Sequence, residues 1–553
     1  MKGKNLERRG KLLLVDYIQS AQIHGYQLMV NRNATKADRY LWIIVSLTII
    51  TVTAWLIINI YMNFENSPTV TSQSSIPVPI VQVPFPAIAI CSGNQMRREY
   101  LMTFAEEIFR FQNNSKTRIG NTVEEVAESL KYLGMLLSLS HSMDEFYKID
   151  KLHTLLLEYF KGPYRTDEIV ANLSMKCEDL LIRCQWRYED VECAEIFSME
   201  KAWLGTCCMF NFDRPVVMQN GTINPYKPKF VDTPGLGHGL TVVINDSYEN
   251  YAYNVYSSVS TKIAVLENDV YPEVASTGFS ETHAMAGREM YIAIDPTIIV
   301  GEELMRRYKP TARKCFFRDE TVLLQAGHYT MSECIILCRI QDVVDFCGCI
   351  PPNYNNRNNA SYCLLDDIPC LNRWEEKWKA LEPLNLEDNN QAEKFAKCSM
   401  CLPRCNYINY KLTASWTRMK EMDVGGVFKY GIMANLTSGN LSLIYFYFAN
   451  NYINRMVQTV IYDWTEVLAL LGGICGIMYG ASIISIFELL YFATGKFFTM
   501  CTGHNIDPVD SMDDDGQQPQ LYWEELYNPE KKKTNLDFEK NSQKFDVKKN
   551  VRM

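Results

Sequence analysis

The residues of greatest chemical consequence in this sequence sit in one apolar run. Residues 472–492 read GGICGIMYGASIISIFELLYF and carry Ser482, Ser485 and a single carboxylate, Glu488. A glycine weakens a helix by about 1 kcal/mol relative to alanine. A carboxylate at bilayer depth costs about 2.5 to 3.5 kcal/mol even on a lenient scale. Gly472, Gly476 and Gly480 recur every fourth residue, so they share one helix face. Such a face alone would suit close helix dimerisation. Gly480-Ala481-Ser482 adds permissive backbone and a hydroxyl in mid-run, and Ser485 and Glu488 extend the polar points. Polar groups in a span face a bundle interior or a water-filled path. Backbone carbonyls released at a glycine–serine break are ligands for a dehydrating cation. The chemistry implied is cation conduction between several copies of this segment. Glu488 would concentrate cations below the narrowest ring, or else serve as a helix-packing partner.

Other chemistries find little support. HExxH, GxSxG and GxxxxGK[ST] are missing from the sequence, and TGK at 494–496 lacks the upstream glycine. GLGHG at 235–239 has the wrong spacing for a dinucleotide loop and reads as a turn before a strand. CGC at 347–349 invites a zinc reading, but the even set of neighbouring cysteines favours disulfides. No concentrated basic–aromatic stripe suggests nucleic acid. The expectation is a non-enzyme with no metal or cofactor beyond permeant Na⁺.

Such a segment needs a membrane around it. Residues 40–62 form 23 uncharged positions, about 35 Å of helix, enough to cross hydrocarbon. Basic residues precede them, so the N-terminus is placed in the cytoplasm. A second span then returns the C-terminus to the same side. Sixteen of the 18 cysteines lie between Cys91 and Cys405, as an oxidised extracellular framework would have them. Glycosylation sequons at Asn113, Asn172, Asn220, Asn245, Asn359, Asn435 and Asn440 likewise fall between the two apolar runs. The expected division is a cytoplasmic N-terminus (1–39), a first span (40–62), an extracellular domain (63–455), a second span with the pore (456–495) and a solvated acidic tail (496–553). Within the domain, 238–245, 289–295 and 441–450 read as strands. Residues 122–139 and 373–398 carry helical periodicity. The fold class is therefore α+β, disulfide-rich, between two transmembrane helices.

The ordered motifs resemble the degenerin/epithelial sodium channel superfamily, in the manner of an invertebrate member. They are His24-Gly25, FPAIAIC (85–91), LGTCCMFN (204–211), the cysteine array from Cys315 to Cys405, and LGG…GAS…E (471–488). The resemblance implies a trimer with a hand-like extracellular domain and an amiloride-sensitive, Na⁺-selective current at the plasma membrane. It places the selectivity filter at Gly480, Ala481 and Ser482. It assigns pore and gating roles to His24, Gly25, Ala469 and Glu488, and blocker contact to Gly476. It also implies the pairs Cys91–Cys207, Cys184–Cys193, Cys315–Cys405, Cys334–Cys401, Cys338–Cys398, Cys347–Cys370 and Cys349–Cys363. Cys177 and Cys208 are left, and they are expected to pair.

Three triggers compete within this reading. A neuropeptide or similar ligand ranks first. Protons rank second, with His141, His153, His238, His283 and His328 outside; Leu470 stands where acid-sensing relatives carry Asp, and the loop after the first span has no histidine. Mechanical force or constitutive opening ranks third. The expected partners are further copies of the chain or related subunits, membrane lipid and the extracellular ligand. The non-channel alternative is a two-span adhesion or signalling receptor.

Overall fold

A computed structural model of the 553-residue chain describes residues 17–18, 24–30, 34–66, 68–137, 146–202, 205–213, 216–217, 223–224, 227–245, 248–254, 259–274, 277–320, 329–354, 360–379, 398, 400–419, 431–436, 441–461 and 463–496. The acidic tail, Asn220, Asn359, Asn440, His141, His328 and Cys501 lie outside the described residues. The chain divides into two compact units, Met1–Leu56 with Leu468–Met553, and Ile57–Val467.

The first long helix, α1 (Lys36–Asn66), begins at a reciprocal cap. The Asp38 amide donates to Thr35 Oγ1, and the Thr35 amide donates to Asp38 Oδ2, each at 3.2 Å. Its interior hydroxyls are turned onto the helix itself: Thr48 Oγ1 donates to the Ile44 carbonyl (2.9 Å) and Thr53 Oγ1 to that of Ile49 (2.8 Å). That arrangement suits an environment without water to hydrogen-bond.

The unit Ile57–Val467 is built on two large sheets and a helical layer, with two small two-stranded sheets among the described residues. The larger sheet turns on one 14-residue strand, Arg288–Gly301. Taking the strands used below in chain order, β1 is Thr69–Gln73, β2 Ala87–Ser92, β3 Leu181–Trp186, β4 Phe197–Ala202, β5 Gly205–Phe210 and β6 Leu240–Asn245. β7 is Thr261–Leu266, β8 Ser280–Ala284, β9 Arg288–Gly301, β10 Tyr407–Arg418, β11 Leu441–Phe448 and β12 Tyr452–Val460. β10 runs antiparallel along β9 from Arg288 to Ile299. The opposite edge of β9 is shared, both partners parallel: β11 along its first half and β12 along its second. β6 lies between β11 and β3. β1 closes the far edge against β12, with Thr69 opposite Val460. The smaller sheet has the order β8-β7-β2-β5-β4.

The core between the sheets explains their apolar runs. Ile88 and Ile90 of β2, Phe210 of β5 and Ile263 of β7 pack with Val242 of β6, Ile292 of β9 and Phe446 of β11. Phe85, fully buried, sets its ring 5.2 Å from those of Trp186 and Phe448. A second core joins helices α2 (Arg98–Gln112), α3 (Val123–Leu130), α4 (Phe146–Phe160) and α5 (Thr166–Leu173) to α6 (Met331–Cys347) and α7 (Ile368–Lys379). Threonines start two of these helices: the Glu125 amide donates to Thr122 Oγ1 (3.2 Å), and that of Glu333 to Thr330 Oγ1 (3.3 Å).

The three strands read from the sequence are present, β6 at 240–245, β9 at 288–301 and β11 at 441–448. The helical reading of 122–139 corresponds to α3 and a following 3₁₀ turn to Leu136. That of 373–398 is helical over 373–379, within α7, which starts earlier, at Ile368; 380–397 lie outside the described residues. The start of the second span is corrected. Residues 456–460, assigned to it, belong to β12, where YINRMVQTV pairs with β1 and β9. The helix begins only at Trp464.

Eight disulfides fasten this unit, and they join the same cysteines that the family resemblance pairs, with Cys177 bonded to Cys208. Cys334–Cys401 and Cys338–Cys398 tie α6 to the segment before β10, and Cys347–Cys370 ties it to α7. Closing long loops restricts the unfolded chain. A buried ion pair adds a directional constraint: Arg339 Nη1 on α6 donates to Glu273 Oε1 at 2.8 Å, with both side chains almost wholly buried. Removing one member of such a pair costs about 3–5 kcal/mol. Glu273→Ala is therefore expected to lower the thermal unfolding midpoint of the purified full chain by several degrees, and Glu273→Gln by less. An unchanged midpoint for Glu273→Ala would contradict this assignment.

Candidate pore segment

The second apolar run is two helices. α8 (Trp464–Tyr479) and α9 (Ile483–Tyr491) are separated by Gly480-Ala481-Ser482, and their axes bend by 71° there. α8 stops because Gly480 takes φ +65°, the left-handed conformation that favours glycine. The turn is closed by main-chain bonds: the Gly480 amide donates to the Gly476 carbonyl (2.8 Å) and the Ala481 amide to that of Cys475 (3.3 Å). α9 restarts at serine. The Ser482 amide donates to Ser485 Oγ (3.2 Å), and the Ser485 amide returns to the Ser482 carbonyl (3.0 Å). Ser485 thus acts as a local brace for the break.

The N-terminal motif lies against this break. The His24 amide donates to the Tyr479 carbonyl at 2.9 Å, capping the last residue of α8. A Cβ placed on Gly480 would run into the His24 imidazole. Gly25 has φ +85°, and a Cβ there would stand 3.7 Å from the Trp42 ring on α1. The structure therefore brings His24, Gly25 and Gly480 into one small assembly, although more than four hundred residues separate the two glycines.

The remaining candidates are spread along the two helices. Ala469 is exposed on α8, 11 residues before Gly480, or about 16 Å along the axis. Gly476 is half-buried one turn before the break, and Gly472 and Gly473 face open space. Ala481 is half-buried, Ser482 exposed and Glu488 half-buried. Beyond Glu488, the Tyr17 ring stands edge-on to Phe492 with centroids 5.3 Å apart. Sequence reasoning missed Tyr17 and Trp42, because a lone aromatic near a terminus carries no spacing signal. α8 ends in carbonyls and α9 begins in amides, so opposite partial charges meet at residues 480–482. The carbonyl side can ligate a cation, and the small side chains leave it accessible.

α1 is long and apolar enough to cross a membrane. The α8–α9 pair qualifies as one further span if it is taken as a single broken helix. Among the described residues, the grouping closest to a metal site is Cys349, Cys363 and Asp367. Its two sulfurs are already bonded to each other, so the zinc reading of CGC has no thiolate to use. Asn113, Asn172 and Asn435 are exposed, and Asn245 is half-buried in β6.

A broken apolar helix and a long unbroken one, in a chain with an α+β disulfide-bonded unit, are in keeping with a membrane protein. The family described as Amiloride-sensitive sodium channel matches residues 17–492, and the chain belongs to this family, within the degenerin/epithelial sodium channel superfamily. It is 23% identical to Pickpocket protein 28 of Drosophila melanogaster over 523 residues, covering 88% of this chain and 78% of that protein. It is 22% identical to Sodium channel protein Nach of the same fly over 495 residues, covering 86% of each. It is also 22% identical to Acid-sensing ion channel 1A of Danio rerio over 487 residues, again covering 86% of each. The last two are named as channels, in line with a non-enzyme.

The geometry at Gly480 makes a distinct expectation. Alanine there meets both a left-handed backbone, costing about 1–2 kcal/mol, and the His24 ring. Gly480→Ala should therefore destabilise the full chain in detergent, and His24→Ala should relieve part of that loss. Strictly additive shifts in a double-mutant cycle would show that the two residues do not touch.

Proposed function

We propose that the chain is a subunit of a Na⁺-selective, amiloride-sensitive channel in the plasma membrane, opened by an extracellular stimulus. Three copies place their second spans around one axis, as a homotrimer or with related subunits. Gly480, Ala481 and Ser482 form the narrowest ring, whose carbonyls and width select by dehydration cost. Gly476 contacts the blocker, and Glu488 concentrates cations beyond the ring. His24-Gly25 braces the inner side, and Ala469 lines the gate. Both termini lie in the cytoplasm, with lipid around the spans, and residues 63–455 lie outside and are glycosylated.

The observation that carries this reading is the interrupted backbone at Gly480, held against His24 in an otherwise apolar segment. Non-helical backbone at membrane depth is tolerated where it is enclosed or lines a cavity. A two-span receptor has no use for it. The favoured trigger is a secreted peptide or similar ligand, which opens the channel by binding one state of the domain better than the other.

One observation favours protons as the second trigger. His153 on α4 is mostly buried, with Nδ1 3.0 Å from the Tyr164 hydroxyl and Nε2 3.7 Å from Asp366. Protonation would turn the second contact into an ion pair. Burial holds the adjacent Asp367 carboxyl above the usual carboxylate range, despite a bond from the Leu364 amide. A carboxyl raised in the fold stabilises it most when protonated, and that contribution fades as pH rises through the raised value. Acidification therefore strengthens this joint. If protons are the trigger, acid perfusion alone opens the channel and His153→Gln blunts the response; silence in acid with current under a peptide panel supports the first reading.

The direct test is whole-cell recording with Na⁺ replaced by a large organic cation. Ala469→Phe is expected to give standing inward Na⁺ current without ligand, and Glu488→Gln to lower unitary conductance with surface expression kept. An Ala469→Phe chain that reaches the surface and stays silent would contradict the channel reading.

A further inference from the structure

Helices α2, α4 and α5 surround a cavity of about 540 Å³ in the unit Ile57–Val467. That is within the size range of small-molecule sites. One wall is a run of rings meeting edge to face: Phe104 and Tyr159 are 6.3 Å apart at 79°, and Tyr159 and Phe160 4.8 Å apart at 88°. Phe160 is 40% exposed, so this apolar wall opens to the surface. The other lining is polar. Glu107 accepts a bond from the Tyr159 hydroxyl at 3.3 Å, and Thr103 stands one turn away on α2.

Asn172, exposed in the last turn of α5, also lines this cavity. It begins the triplet Asn172-Leu173-Ser174, an acceptor for N-linked sugar. Ser174 is buried and its hydroxyl donates to the Val170 carbonyl at 2.7 Å, so the triplet is readable only before the chain folds.

We propose that this cavity is the seat of the chain's own glycan, with the first N-acetylglucosamine on Asn172 lying against the Phe104–Tyr159–Phe160 wall. A pyranose offers a face of C–H bonds that matches the negative face of an aromatic ring. Its hydroxyls and acetamide N–H find acceptors in Glu107 and Thr103. The sugar is tethered at the wall, so weak contacts suffice to hold it. Attachment forms one bond, from the Asn172 side-chain nitrogen to the anomeric carbon of a lipid-pyrophosphate-linked oligosaccharide. The bond from that carbon to the pyrophosphate oxygen breaks, the pyrophosphate keeps the electron pair, and the amide nitrogen releases a proton. Seated there, the sugar clamps α5 to α2 and α4 and closes the cavity to free ligands.

This rests on the extracellular placement proposed above. Full-length protein from an animal cell line is analysed for site occupancy by glycopeptide mass spectrometry. It is then digested, without denaturation, by a peptide N-glycanase with timed sampling. The Asn172 glycan is expected to be released about ten-fold more slowly than those on exposed Asn113 and Asn435, the size of effect a ring contact supplies. Phe104→Leu with Tyr159→Leu should erase the difference while leaving Asn172 occupied. Equal release rates in the unmutated protein overturn the proposal without any variant. So does an empty Asn172 beside an occupied Asn113, which would leave the cavity to a free ligand such as an organic cation. If all three sites are empty, the extracellular placement itself fails.

Discussion

A helix inside hydrocarbon has no water to accept its backbone groups, so an interruption must be held together from within or be given a polar surrounding. At residues 480–482 part of that holding is visible. Gly480 reverses the chain, Ser485 accepts from the Ser482 amide, and His24, from the far end of the sequence, caps the Tyr479 carbonyl. Most of the functional reading depends on this constraint. A helix merely packed in lipid would gain nothing from the left-handed glycine, whereas a conducting path gains carbonyls at its narrowest point.

The unit Ile57–Val467 answers a different demand, which is to be stiff. β9 carries partners along most of its length on both edges, so it sets the positions of β10, β11 and β12. β1 and β12 are adjacent and antiparallel, and they are the strands nearest in sequence to α1 and α8. The chain therefore leaves this unit at two neighbouring strand ends. Near them, the Phe64 ring lies 5.5 Å from Tyr308, and Arg307 pairs with Asp463 at 3.2 Å. Bonded helices such as α6, fixed by disulfides at Cys334, Cys338 and Cys347, add rigidity without a large local core.

Much of this was legible in the sequence because it is written in composition and period. The apolar length of α1, the β-branched and aromatic strands β6 and β11, and the clustering of cysteines each follow from a single physical demand. The break at Gly480 was legible too, because Gly480-Ala481-Ser482 puts permissive backbone and a hydroxyl in mid-run, beyond what a helix-dimerisation face needs. What stayed hidden depends on the partner brought from elsewhere. β12 reads as the approach to a span until β1 and β9 are seen to take its hydrogen bonds. α7 starts earlier than its pattern because a turn at 365–367 launches it. Tyr17 against Phe492 and Gly25 against Trp42 are contacts no spacing rule encodes.

The central claim is that residues 480–488 border water and not lipid. It is tested most directly by replacing Cys475 with serine and then introducing Ser482→Cys or Ser485→Cys singly. A membrane-impermeant charged thiol reagent is applied while current is recorded through the activated channel. The account expects rapid, irreversible loss of current in at least one of these chains and none in the Cys475→Ser background. Full current after prolonged treatment of both chains, with the thiols intact by later labelling in detergent, would contradict it.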